Sequence, residues 1–272
     1  LGELAFRWGG GSLPSYIAYI LVAFTGCILV MLYLQQFAPL VVLFGVIVAV
    51  LLKAILRGRE DALMIEALGI AMTMYLIAEL NYQADMMLIV AAVLISFGFG
   101  YFSYRTKTAD VSGLFSGALI GLILIVFADI RWFLVMLAFF ILGSVSTRYH
   151  YTDKEEMGVE QTHGGARGYL NVFSNGSVSA AAAVLWGVTG NPLCAALFGG
   201  SVATAAADTM ASEIGVTGGE PYPITTFSRV PAGTNGGVTV LGETVAFAGA
   251  FIISVIAVLL GVIPLPVIAA GA

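Results

Sequence analysis

The chain has 272 residues, of which 60% are hydrophobic and only 10% charged. A soluble domain carries roughly 25% charged residues, so the composition excludes one and indicates a polytopic membrane protein. The net charge of -5 leaves no basic tract for nucleic acid, and Cys27 and Cys194, far apart in apolar stretches, give neither a disulfide framework nor metal spacing.

A spanning helix needs about 20 apolar residues. Nine stretches are candidates: 16–34, 38–56, 62–80, 84–102, 111–128, 131–147, 177–190, 192–212 and 237–262. The first is too long, and too poorly followed by a small-residue cleavage site, for a typical signal peptide. The seventh is short and alanine-rich; it either begins before Ser177 or is partly re-entrant. The expected fold is all-α: a polytopic transmembrane helix bundle of about nine spans. We expect one integral-membrane domain over 1–272. Residues 1–142 are mainly scaffold spans, and 143–262 carry the polar loops 148–176 and 213–236.

With a cytoplasmic N-terminus, nine spans put ten of the eleven basic residues inside and only Arg131 outside. Both long polar loops then lie on the cytoplasmic side, where they can meet over one site. Small residues recur every four positions at Gly113, Gly117 and Gly121, and at Gly199, Ala203, Ala207 and Ala211. Such stripes read as close helix packing.

The chemistry concentrates between Gly199 and Glu243. Asp208 lies about 6 Å, one turn, inside the end of the eighth span, and Glu213 follows it. A carboxylate at that depth is expensive and usually functional. Positions five apart on a helix diverge by about 140°, so Asp208 and Glu213 share a site only if the helix unwinds near Gly215 or another element wraps around. Asp208 and Ser212 do share a face. These hard oxygen ligands suit Mg2+, which takes one or two carboxylates plus phosphates and water. The structural alternative pairs a buried Asp208 with Arg167 or Arg229 and leaves Glu213 an ordinary helix-end charge.

Gly233, Thr234, Asn235, Gly236 and Gly237 lead into the ninth span, with Thr234 or Asn235 as the expected N-cap. Glycines before a helix N-terminus suit an anion, although GxxxxGK[ST] is absent and a plain cap explains the stretch as well. Glu243, farther into the span, is a third candidate for the metal or a brace for the loop. In the other loop, Arg148, Lys154 and Arg167 are candidates for phosphate contacts, with Gly164, Gly165 and Gly168 permitting close backbone approach. Asn171 and Asn175 offer neutral polar contacts, and Arg229 is a further phosphate candidate. The alternative for these cations is a solvated positive-inside loop or lipid-headgroup contact. His150 and His163 read as surface residues, and Glu66 and Glu79 as interfacial ones.

Several motifs resemble a known family. Asp-Thr-Met-Ala-Ser-Glu-Ile-Gly at 208–215, Ile-Thr-Thr at 224–226 and Val-Pro-Ala-Gly-Thr-Asn-Gly-Gly-Val-Thr at 230–239 resemble the phytyl-phosphate kinase family, which includes the eukaryotic transmembrane protein 19. Gly-Gly-Ala-Arg at 164–167 and Asn-Val-Phe-Ser-Asn-Gly at 171–176 match its other signature. The resemblance covers roughly 143–260. It implies phosphoryl transfer from a nucleoside triphosphate, often CTP, to an isoprenoid monophosphate, and kinship with phytol and dolichol kinases. Met210 stands where many members have Trp, Val145 where a Lys is common, and Asn171 where a Gln is common. These departures mark a prokaryotic, archaeal-type branch.

The resemblance and the residues together give the expected function. It is Mg2+-dependent transfer from CTP or another nucleoside triphosphate to a phytyl- or geranylgeranyl-type monophosphate. The expected partners are that lipid, the nucleotide and the bilayer, with no nucleic acid. The expected location is the prokaryotic plasma membrane with a cytoplasmic active site. A CTP-using lipid-phosphate cytidylyltransferase and a membrane transporter are the alternatives. Transporter sites favour the bilayer midplane and inverted repeats, whereas these acids lie near one face.

Overall fold

The structure is a computed structural model that describes residues 12–159, 165–223, 225, 228–231, 234 and 236–264. Among them are ten helices: α1 Ser12–Leu34, α2 Pro39–Ile55, α3 Ala62–Glu79, α4 Met86–Arg105, α5 Val111–Phe127, α6 Ile130–Arg148, α7 Tyr151–Glu156, α8 Tyr169–Thr189, α9 Leu193–Gly215 and α10 Val240–Leu259. Two short strands, β1 Tyr222–Pro223 and β2 Gly237–Val238, pair antiparallel with Tyr222 opposite Val238.

Nine of these helices correspond one-to-one with the nine predicted spans, and the tenth, α7, lies within the expected loop 148–176. Seven helices of 18–23 residues are long and apolar enough to cross a membrane. The other two, α2 and α5, have 17 residues each, the lower limit for a span. Large apolar side chains such as Leu94, Phe102, Leu193 and Leu259 are exposed along the helices. Such faces need lipid around them. The fold is therefore an all-α polytopic membrane bundle.

Two element boundaries correct the sequence reading. The seventh span begins before Ser177, the first of its two alternatives, and is longer than the apolar stretch 177–190: it is α8, a 21-residue helix that starts at Tyr169. Polar residues hid its first two turns from the apolar pattern, yet those residues bond to the helix itself. The Asn175 amide donates to the Asn171 carbonyl at 2.8 Å, and the Ser177 hydroxyl donates to the Phe173 carbonyl at 2.7 Å. Asn171 and Asn175 thus sit on a helix rather than in a loop. The ninth span begins at Val240, because residues 237–238 are held in the β1–β2 ladder.

Compactness divides the chain inside α5, between Leu122 and Ile123. In the first unit, α2 packs against α1 and α3, with Phe44, Ile47 and Val50 buried. In the second unit α9 is central and packs against α6, α8 and α10. Phe198, Val202 and Ala203 of α9 and Ile253 and Ala257 of α10 are fully buried. Trp132 lies against Phe198 with ring centroids 4.3 Å apart. The C-terminal ends of α6 and α9 and the N-terminal end of α10 meet at one end of this unit, where the polar residues collect.

Candidate active site at the ends of α9 and α10

The site is built on a close approach of two helices. A Cβ placed on Gly215 would lie 2.7 Å from the Gly242 Cα, a contact that backbone cannot relieve. Two glycines facing each other therefore let α9 and α10 touch. Thr239 locks the approach. Its hydroxyl accepts from the Gly242 N–H at 3.0 Å and donates to the Gly215 carbonyl at 2.9 Å. The N-cap of α10 is thus Thr239, not Thr234 or Asn235, because the strand pairing moves the helix start downstream.

Beside this contact lies a cleft of about 390 Å³, lined by Asp208, Ser212, Thr234, Thr239, Glu243 and backbone of Gly236 and Gly237, among others. Asp208 and Glu243 are exposed to it. Asp208, Ala211, Ser212 and Gly215 follow the i, i+3, i+4, i+7 spacing of one helix face. Because α9 continues to Gly215, Asp208 lies about 10 Å from the helix end by the rise per residue, deeper than the sequence boundaries indicated. No lysine, arginine or histidine lines the cleft among the described residues.

Glu213 faces elsewhere. Its carboxylate accepts from the Lys154 ammonium at 2.8 Å, with side-chain exposures of 7% and 1%. Lys154 also donates to the Thr147 carbonyl at 2.8 Å and, more weakly, to the carbonyls of Ser146 and Glu213. The geometry thus gives Lys154, read from sequence as a phosphate ligand, a carboxylate and the carbonyl ends of α6 and α9. Burial is the reason: an ammonium at this depth needs acceptors, and orphan carbonyls at helix C-termini supply them. The same pairing removes Glu213 from the expected two-acid site with Asp208; the acid that joins Asp208 is Glu243.

Arg167 is also buried. Its guanidinium lies 5.4 Å from the Phe139 ring centroid and 5.6 Å from that of Phe140, a cation–π arrangement. It occupies the space a side chain at Gly143 would fill. Burial pushes the guanidinium below its ordinary range, and the charge of Glu213 partly restores it. Arg167 therefore belongs to the Lys154–Glu213 cluster. Arg148 ends α6 and is exposed, as is Asn171 in the first turn of α8. Arg229 is exposed and bonds to the Tyr222 hydroxyl at 2.9 Å and to Glu220 at 3.4 Å. The Tyr222 bond leads the causes that raise its pKa. Gly233 and Asn235 lie outside the described residues, as do His163 and Gly164. His150 is exposed, and its Nδ1 lies 2.5 Å from Asp153.

The donor set of the cleft fits Mg2+. Two exposed carboxylates and the Ser212 and Thr234 hydroxyls are hard oxygens, and no cage of three or more acidic, histidine or cysteine ligands occurs among the described residues. Mg2+ is ordinarily held by one or two carboxylates plus phosphate oxygens. Sequence reasoning did not place Thr239 in the site, although a Thr directly before an apolar run is an N-cap signal. The Lys154–Glu213 pair joins residues 59 apart, and no local spacing reveals it.

Comparisons with known proteins agree that this is an integral membrane protein. An uncharacterized membrane protein of Methanocaldococcus jannaschii is 31% identical over 163 residues, 57% of this chain and 64% of the relative. Protein PGR of Arabidopsis thaliana is 33% identical over 175 residues, 59% of this chain and 60% of the relative. The chloroplastic Protein VTE6 of the same plant is 31% identical over 140 residues, 49% of this chain and 42% of the relative. The chain thus spans less than two thirds of the length of the relatives it matches. No solved structure matches the chain. The model of the integral membrane protein DUF92 family matches residues 94–272, which contain every motif behind the family resemblance read from the sequence, and the chain belongs to that family.

Proposed function

We propose that the protein is an integral-membrane kinase that transfers the terminal phosphoryl group of a nucleoside triphosphate, CTP by the family resemblance, to an isoprenoid monophosphate. The observation that carries this reading is the cleft at the α9–α10 contact. It holds two exposed carboxylates, Asp208 and Glu243, with hydroxyls and glycine backbone and no cation among its described lining residues. A bare phosphate would be repelled there; a phosphate neutralised by Mg2+ would be held.

Asp208 and Glu243 are the residues that would hold the ion, which when bound would neutralise charge on the transferring phosphoryl group. Ser212 and Thr234 offer hydroxyls to phosphate oxygens, and the backbone at Gly236 and Gly237 permits close approach. An oxygen of the lipid phosphate attacks the terminal phosphorus, the bond to the bridging oxygen breaks, and the nucleoside diphosphate leaves. Arg148 and Arg229, both exposed at polar segments, are the remaining candidates for nucleotide contact. A site near a helix end suits a lipid whose tail lies in hydrocarbon and whose head lies at the interface. We place this end, and the N-terminus, in the cytoplasm of a prokaryotic plasma membrane from the distribution of basic residues.

The test is product analysis after incubating the purified full chain with labelled CTP, Mg2+ and geranylgeranyl monophosphate. The reading expects CDP and geranylgeranyl diphosphate. Pyrophosphate with a cytidine-linked lipid would instead identify a cytidylyltransferase, and no nucleotide turnover with any nucleoside triphosphate would overturn the reading.

A further inference from the structure

The N-terminal unit carries a second built feature, lying wholly within residues up to Leu122. A cavity of about 570 Å³ lies where the α1–α2 turn meets the α3–α4 turn. Its polar wall consists of Asn81, Tyr82 and Gln83. An apolar groove of about 370 Å³ lies between α1, α2 and α4 and reaches Phe115 of α5. Pro39, Met86 and Ile89 line both spaces, so a polar-walled mouth and an apolar groove meet at three common residues. The groove follows α2 from Pro39 to Val50, about 16 Å at the helical rise, or roughly half the thickness of a bilayer's hydrocarbon core.

The lining chemistry selects the occupant. No charged residue and no histidine lines either space among the described residues, and the groove is lined by apolar side chains throughout. An anionic headgroup normally meets charge-assisted donors, and none lines the mouth among the described residues. The mouth instead offers the neutral amides of Asn81 and Gln83, donors and acceptors that suit a hydroxyl. Asp85, between the lining residues Ala84 and Met86, caps α4 by accepting from the Met87 N–H at 2.6 Å. Asn81 holds the turn in a left-handed conformation, φ 45°, which asparagine tolerates better than most residues.

We propose that this mouth and groove form a binding site for a single-chain lipid with an uncharged hydroxyl head, a long-chain alcohol, distinct from the carboxylate cleft. The polar turn takes the hydroxyl and the groove takes the chain. The assignment is independent of the kinase reading.

Binding to the purified full chain in nanodiscs tests it, with radiolabelled hexadecan-1-ol, hexadecyl phosphate and hexadecane as probes. Saturable binding of one alcohol per chain is expected, at least tenfold tighter than the phosphate, with no saturable binding of the alkane. Ile89→Trp fills the shared wall, and Ala84→Trp narrows the mouth from a turn outside the helices. Each variant that retains the wild-type unfolding temperature should lose the saturable component, and Asn81→Ala with Gln83→Ala should weaken it severalfold. Equal binding of alcohol and phosphate, binding unchanged in a folded blocking variant, or no saturation with the alcohol would overturn the proposal. Should both blocking variants misfold, the alcohol-to-phosphate ratio of the wild type decides alone.

Discussion

Lys154 and Glu213 form a 2.8 Å ion pair, almost completely buried, between two segments 59 residues apart. The same ammonium bonds to carbonyls at the ends of α6 and α9. A cation at two helix C-termini is favoured by both dipoles. The pair therefore ties the short helix α7 to the end of the helix that carries Asp208. Removing one partner leaves the other charge buried, a change that costs about 3–5 kcal/mol in such pairs. Lys154→Met and Glu213→Gln should each lower the unfolding temperature in detergent strongly. The double variant should lose less than the sum, and the double-mutant cycle measures the difference.

Gly143 and Arg167 depend on each other. A methyl group at position 143 would occupy the space of the guanidinium. Gly143→Ala should therefore expel Arg167 from its seat on Phe139 and Phe140. Trypsin cleavage after Arg167 reads this directly: slow in the wild type, where the residue is buried, and fast in the variant. Arg167→Lys should also destabilise, since an ammonium does not reproduce the planar stacking on two rings.

The α9–α10 contact gives a graded test. Gly215→Ala forces a Cβ against the Gly242 backbone and should cost about 1–3 kcal/mol, the usual range for overpacking. Gly117→Ala meets open space and should stay within about 0.5 kcal/mol of wild type. Thermal unfolding of the two variants side by side separates glycines that permit contact from one that does not.

Thr239 serves as cap and as latch. Thr239→Ala removes the bond from the Gly242 N–H and the bond to the Gly215 carbonyl. The expected loss is about 1–2 kcal/mol for the cap. Thr239→Ser keeps the hydroxyl and should recover most of it. Hydrogen exchange of the first turn of α10 should quicken in the alanine variant and not in the serine variant.

Much of the fold was legible because a membrane span declares itself by length and composition. Nine apolar stretches became nine helices. What failed was local: Asn175 and Ser177 made the start of α8 look like loop, although each bonds to its own helix, and the β1–β2 ladder delayed the start of α10. Asp208, Ser212 and Glu243 were visible as polar residues inside or beside apolar runs, and the structure gathers them in one cleft. Which acids share a site was not visible. Helical geometry warned that Asp208 and Glu213 diverge by about 140°. Only the tertiary fold supplies Lys154 to one of them and Glu243 to the other.

The most direct test of the central claim is turnover of geranylgeranyl monophosphate against Mg2+ concentration for the wild type, Asp208→Asn, Glu243→Gln and Glu213→Gln. The account predicts that Asp208→Asn abolishes Mg2+-dependent turnover while the protein stays folded, since that side chain is exposed in the cleft. Glu243→Gln should raise the Mg2+ requirement sharply. Glu213→Gln should lose stability, and whatever activity it keeps should show the wild-type Mg2+ dependence. Wild-type turnover and Mg2+ dependence in both Asp208→Asn and Glu243→Gln would contradict the assignment of the cleft as the phosphoryl-transfer site.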